Sequence, residues 1–329
     1  MAPMNRDEEP TRMPSTPSTP TTPSTPSTIG ITLGDPAGVG PLLIDQALER
    51  HVGELSIRLY GPQELVAPLA LNHPGCTAVP TSSGLHGVIP GTYTAASGSA
   101  SLLALQRASL DLACGRLAAL VTGPIDKHAL SDAGLAFPGQ TELVASACGV
   151  KRFAMMLAGP RLRVVLATTH LALRDVPAAI TEDAVFDAAD LVADHLRRFE
   201  AMPFPRIAVL GLNPHASDRG RFGDEEALAI APAVARLQKA GIDATGPLPA
   251  DTAFHHAVEG AFDAVVAMYH DQGLGPLKLL HFTSAINVTL GLQHPRCSPD
   301  HGPAFDLVGT GRADPGSMIQ ALRFAARCT

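Results

Sequence analysis

Eight short runs of valine, isoleucine, leucine and alanine recur along this chain, with helical stretches between them. They are Ile29–Leu33, Ile57–Tyr60, Leu117–Thr122, Ala154–Leu157, Leu162–Thr168, Ile207–Leu212, Ala264–Met268 and Ile286–Leu290. Several are continuous apolar runs. They read as strands covered on both faces, because a strand with one wet face alternates polar and apolar residues. Between them, Thr181–Phe199 opens on a Thr-Glu-Asp cap and closes on Arg197 and Arg198, which suit the negative end of the helix dipole. Asp224–Ala240 stops at Gly241, a residue type that accepts the left-handed conformation of a helix end. Strand and helix in alternation predict an α/β fold on a largely parallel sheet. The pattern leaves open whether some strands run antiparallel.

The 329 residues allow one large or two medium domains. Met1–Thr28 stands apart, with a Ser-Thr-Pro repeat from Pro14 to Ser27 that has nothing to bury. It is expected to be a disordered tail, and it lacks the apolar segment of a secretory signal. A net charge of −7 argues against a nucleic-acid groove, which needs a basic stripe. No apolar run is long enough to span a bilayer. Five scattered cysteines form no CxxC pair and are expected to be reduced thiols in a cytoplasmic protein.

In such sheets ligands bind beyond the carboxyl ends of strands. Three histidines stand there: His170, His215 in Asn-Pro-His-Ala, and His270 in Met-Tyr-His-Asp-Gln-Gly. Together they suit a divalent-metal site with open positions; singly, each reads more readily as a hydrogen-bonded loop residue. Gly34–Gly40 lies between a strand and a helix, where backbone amides cradle an anion or simply turn the chain. It matches neither the Rossmann fingerprint nor a P-loop. Ser217–Gly223 reads as a flexible polar loop or a solvated connector. Lys278 and Arg296 suit a phosphate or carboxylate, or are surface charges. Asp251, Asp271, Asp300 and Asp306 are acid–base candidates, or caps.

Taken together, several segments resemble the 4-hydroxythreonine-4-phosphate dehydrogenase family of pyridoxal-phosphate synthesis. They are Ile31–Pro41, Val121–Pro124 with Lys127, Pro138–Glu142, Thr168–Asp175, Gly211–Ala216, Pro249–Thr252, Met268–Leu274 with Lys278, and Asp300–Gly302 through Ala304–Asp306. They follow in family order from about residue 29 onward.

The resemblance implies a two-domain α/β/α fold of the isocitrate/isopropylmalate-dehydrogenase type, with a cleft between domains. The first domain is expected over 29–130 and 300–329, the second, with a dimer interface, over 131–299. It implies a divalent metal (zinc, magnesium or cobalt) on His170, His215 and His270. His170 and His215 would come from one subunit of a homodimer, and His270 from its partner. It implies substrate contacts at Gln140, Thr141, Lys278, Asn287 and Arg296, with Lys278, Asp251 and Asp271 as catalytic candidates. NAD or NADP is expected near Gly309, Gly311 and Asp314.

The implied activity is oxidation of 4-phosphooxy-threonine to a β-keto acid that decarboxylates to 3-amino-2-oxopropyl phosphate. Two departures bear on the substrate. Gln140 stands where the family usually has histidine, and Gly275-Pro276 alters the usual spacing after Leu274. Acids of the phosphothreonate or phosphoerythronate type are the alternative. A metal-dependent hydrolase or aldolase, or a non-catalytic binding paralogue, would be a different class.

Overall fold

The computed structural model describes residues 28–50, 55–134, 136–137 and 139–329. The expectation of a disordered tail lies outside these residues, apart from Thr28, and so does Pro138 of the matched segments.

Eleven strands form one sheet: β1 (Thr28–Thr32), β2 (Ser56–Pro62), β3 (Cys76–Ser82), β4 (Ala119–Thr122), β5 (Ala154–Ala158), β6 (Arg163–Leu166), β7 (Arg206–Leu210), β8 (Asp243–Leu248), β9 (Ala264–Ala267), β10 (Ile286–Leu290) and β11 (Arg296–Pro299). Their order across the sheet is β3-β2-β1-β4-β11-β10-β5-β6-β9-β7-β8. All eight apolar runs are strands, with ends shifted by at most two residues. Most pairings are parallel, as the alternation predicts. The exceptions lie in the middle, where β10 runs antiparallel to both β11 and β5, and β5 runs antiparallel to β6. The sheet is therefore two parallel blocks of opposite direction, stitched together by the centre. The expected domain limits divide it near that seam, but hydrogen bonding continues across it, since β11 pairs with β4.

The apolar runs are buried as their composition requires. Val164, Val165, Ile207, Val209, Val265 and Val266 are fully inaccessible. The helix Glu182–Phe199 covers one face of this half. Thr181 caps it by accepting the Ala184 amide, and Arg197 and Arg198 occupy its last turn. The segment expected as one helix from Asp224 to Ala240 begins with a π-type turn over Glu226–Ile230 and becomes α-helical over Ala231–Lys239. Gly241 ends it in the left-handed conformation.

In the other half, a charge is buried on purpose. Asp111 accepts the Tyr60 hydroxyl at 2.8 Å and Arg116 at 2.8 Å. Burial pushes its carboxyl up, but these bonds and the Arg107 and Arg116 charges outweigh that and hold it below the ordinary value.

The Gly34–Gly40 segment is filled by its own carboxylate. Asp35 is inaccessible, accepts the Ala37 amide at 2.9 Å and takes the Ser97 hydroxyl at 3.2 Å. Gly34 is required by close approach: a side chain there would lie 2.3 Å from the Pro124 carbonyl. Of the two readings of this segment, the structure shows the tight turn.

Candidate active site

Three central strands make the floor of a cavity of about 890 Å³. Side chains alternate faces along a strand, so register decides which residues share one. Thr289 lies opposite Arg296, and Asn287 opposite Ser298. Leu157 and Met155 of β5 continue the same rows. These positions point to one face, where Arg296, Asn287, Ser298, Leu157 and Met155 line the cavity. One wall is the helix His270–His281, which presents His270, Leu274 and Lys278 at four-residue spacing, a single stripe. It packs close because Gly273 lies against Val164, where a side chain would come within 2.6 Å. A second wall is the amino end of the helix Gln140–Ala147, with no side-chain cap on its free amides. A third is the segment Thr168–Leu171 that follows β6.

Arg296 is the most unusual group. It is 1% exposed, with only hydroxyls as partners: Thr141 and Thr289 at 3.1 Å each, and Thr122. No carboxylate pairs with it among the described residues, and its Nε has no partner. Burial lowers its pKa to about 10. Beside it, Gln140 Oε1 and Asn287 Oδ1 are also buried without partners. Buried polar atoms are normally satisfied, so an uncompensated guanidinium with two orphaned amides describes a receptor for an anion bearing further polar groups. Lys278, at the rim, pairs with Asp300 at 3.2 Å.

Two of the three histidines meet here. The His170 and His270 ring centroids lie 5.7 Å apart. Burial, then the Lys127 charge and His270, lower the pKa of His170, favouring the neutral ring that a metal ligand requires. His270 Nδ1 lies 2.7 Å from Asp271, which leaves Nε2 free and fixes the ring, so Asp271 acts as an orienting group here. The expected split puts His170 with His215 in one subunit and His270 in its partner; within one chain His170 lies beside His270. His215 is absent from the cavity and stands beside Phe222, at 6.5 Å between rings. Within one chain the partner of His170 is thus His270, and His215 is the ring left over. No group of three metal-binding side chains forms within the chain among the described residues.

The other candidates fall outside the cavity. Asp251 is exposed on the helix Ala250–Val258 and accepts the Thr252 amide. Gly309 and Gly311 are left-handed turns with open space around them, and Asp314 accepts the Gly316 amide at the start of the helix Gly316–Arg327. Asp306 lies in a 3-10 turn, Phe305–Leu307. Conversely, Thr122, Thr289 and Ser298 were not singled out as site residues. Thr122 sits in a segment matched by resemblance, but neither Thr289 nor Ser298 carries a sequence signal apart from its strand register.

Residues 44–325 match the family described as pyridoxal phosphate biosynthetic protein PdxA. A 4-hydroxythreonine-4-phosphate dehydrogenase of Geobacter metallireducens is 47% identical over an alignment 322 residues long, gaps included, which covers 91% of this chain and 94% of that protein. The crystal structure of the enzyme of that name from Klebsiella pneumoniae superposes with a TM-score of 0.80 at 37% identity, covering 91% of this chain and 98% of that one. A terephthalate 1,2-cis-dihydrodiol dehydrogenase from Burkholderia xenovorans gives 0.69 at 27% identity, covering 92% and 98%. The sheet order, the cavity on its central face and these likenesses lead to one conclusion: the chain belongs to the PdxA family of pyridoxal phosphate biosynthetic proteins.

Proposed function

We propose that the protein is a divalent-metal-dependent dehydrogenase that oxidises 4-phosphooxy-threonine with NAD or NADP, giving a β-keto acid that loses carbon dioxide to form 3-amino-2-oxopropyl phosphate. The observation that carries this reading is Arg296, a buried cation with no carboxylate partner among the described residues, at the floor of a cavity whose wall holds two adjacent imidazoles.

Arg296, Thr141 and the free amides of the helix Gln140–Ala147 bind the phosphate, and Gln140 donates a hydrogen bond to it. Lys278, held by Asp300, takes the carboxylate end. Asn287 orients the polar groups between. Leu157, Leu166 and Leu274 close the cavity against water. Fixing both anionic ends turns the carbon that loses hydride in one direction.

His170 and His270 of one subunit, with the partner subunit's His215, would hold the metal. Neutral imidazoles suit zinc or cobalt and leave positions open for substrate. Such an ion, when bound, would supply Lewis acidity at the substrate's alcohol oxygen. A bound dinucleotide would supply the hydride acceptor; the open surface at Gly309, Gly311 and Asp314 is the proposed place for it. Sharing the site requires a homodimer. Leu171, Leu173, Phe222 and Leu228, exposed around these loops, give that contact its apolar area. No helix among the described residues is long and apolar enough to cross a membrane, and a cytoplasmic address is proposed.

The test is incubation with NAD or NADP, a divalent metal and 4-phosphooxy-threonine, reading reduced nicotinamide by absorbance and phosphorylated amino-ketone by mass spectrometry. Parallel reactions with phosphothreonate and phosphoerythronate test the departure at Gln140. Reduced nicotinamide from those acids alone would transfer the proposal to them. Absence of reduction with all three would refute it.

A further inference from the structure

His215 is carried by a segment of unusual conformation. Its five residues from His215 to Arg219 all lie in the left-handed region, with φ of 55°, 51°, 71°, 43° and 62°, and none is glycine. Side chains disfavour this conformation, and a run of five persists only when its surroundings impose it. β9 lies between β6 and β7, so the loops carrying His170, His270 and His215 leave three adjacent strands. The left-handed turn nevertheless keeps His215 out of its own chain's cavity.

Among the described residues, the segment's one deeply buried carboxylate partner is Glu226. Its side chain lies in the π-type turn Glu226–Ile230, and the residue is 4% exposed. Its Oε1 accepts the Asn213 backbone amide at 2.7 Å, and its Oε2 accepts the Asn213 side-chain amide at 2.9 Å. Glu226 thus holds both the backbone and the side chain of the residue that opens the turn, and Glu225 shares the side-chain amide at 2.7 Å. The turn folds back over Gly211, where a side chain would stand 2.9 Å from Ala216 Cα and 3.1 Å from Glu226 Oε1. Ser217 closes the far side, donating to the Gly223 carbonyl and accepting the Gly220 amide at 3.0 Å. No arginine, lysine or histidine pairs with Glu226 among the described residues. A buried carboxylate satisfied only by neutral amides is a group retained for where it places them.

We propose that Glu226 is a positioning residue: it holds the left-handed turn that turns His215 away from its own chain and presents it to the metal site of a second copy. The inference rests on the reading of His170, His270 and the partner subunit's His215 as one ligand set. Its test must therefore separate the two.

The full-length protein is stripped with a chelator and titrated with Co²⁺, following the visible absorption bands and competing with a chromophoric chelator. Wild type and four variants are compared: His215→Ala, His170→Ala, Glu226→Gln and Glu226→Asp. A group that orients a metal ligand typically alters affinity by about 10- to 100-fold. Glu226→Gln, which puts an amide against the Asn213 amide, should weaken Co²⁺ binding by roughly that factor and change the bands, with circular dichroism unchanged. Glu226→Asp keeps the charge one methylene short and should fall between. It also supplies the answer if Glu226→Gln does not fold. Loss of binding in both histidine variants, with wild-type affinity and bands in the folded Glu226 variants, overturns the positioning role alone. Wild-type binding in His215→Ala overturns the ligand set itself.

Discussion

Arg296→Met separates what the buried guanidinium does for the fold from what it does for the ligand. Lowering the pKa to about 10 corresponds to roughly 3 kcal/mol of disfavoured charge, at about 1.4 kcal/mol per pKa unit. Methionine removes that penalty at similar volume. It also removes three hydroxyl contacts, from Thr122, Thr141 and Thr289, each worth about 1 kcal/mol. The two nearly cancel. The ligand-free variant should therefore melt within a few degrees of wild type, where breaking a compensated buried ion pair costs about 3–5 kcal/mol. Anion binding should collapse. Losing a buried charge pair costs about 2–5 kcal/mol, so KM should rise by roughly 30- to 5,000-fold, and inorganic phosphate should no longer raise Tm. Scanning calorimetry with and without phosphate measures both effects. A ligand-free Tm lower by ten degrees or so, or a phosphate-induced shift as large as that of wild type, would refute the reasoning.

The placement of the imidazoles gives a subunit-mixing experiment. His215→Ala mixed with either His170→Ala or His270→Ala should regain up to about a quarter of wild-type activity, because half the dimers are hybrids with one intact site. His170→Ala mixed with His270→Ala should stay inactive; recovery by that pair would restore the other division of ligands. Gln140→Ala should raise KM for the phosphorylated substrate by roughly 5- to 30-fold, the effect of one hydrogen bond to a charged group; an unchanged KM would remove Gln140 from the phosphate. Asp111→Asn should lower Tm at neutral pH. The carboxyl is held below 3.8 in the fold, so its contribution is present above that pH and disappears as pH falls further. A deficit that does not shrink on acidification would contradict this.

The sequence marks strands that are apolar and misses those that are not. β3 and β8 are sheet-edge strands in the order, carrying Pro80 and Pro247, and edge strands need neither two buried faces nor every amide. β11 reads Arg-Cys-Ser-Pro, which resembles a loop until β4 and β10 are placed on either side. Looking just beyond strand ends found His170 and His270, but the floor of the cavity lies along the strands. Arg296 joins Asn287 and Thr289 on one face only through strand pairing, which no local pattern encodes. The identities of most substrate-contact candidates came from the family likeness. The left-handed turn at His215 is silent because it contains no glycine within its five residues, and it is held by tertiary hydrogen bonds that Asn213 donates to Glu225 and Glu226.

β11 has a consequence for how the chain reaches this structure. Its neighbour β4 is made more than 170 residues earlier: Arg296 and Thr122 are 174 positions apart. During synthesis the first four strands emerge with the inner edge of β4 unpaired, and they stay so until almost the whole chain has been made. An open hydrogen-bonding edge is where chains join wrongly to one another, and long-range pairings are the slow ones to form. The anion receptor is therefore among the last features to form, and the polar composition of β11 spares the chain one more sticky segment while it waits.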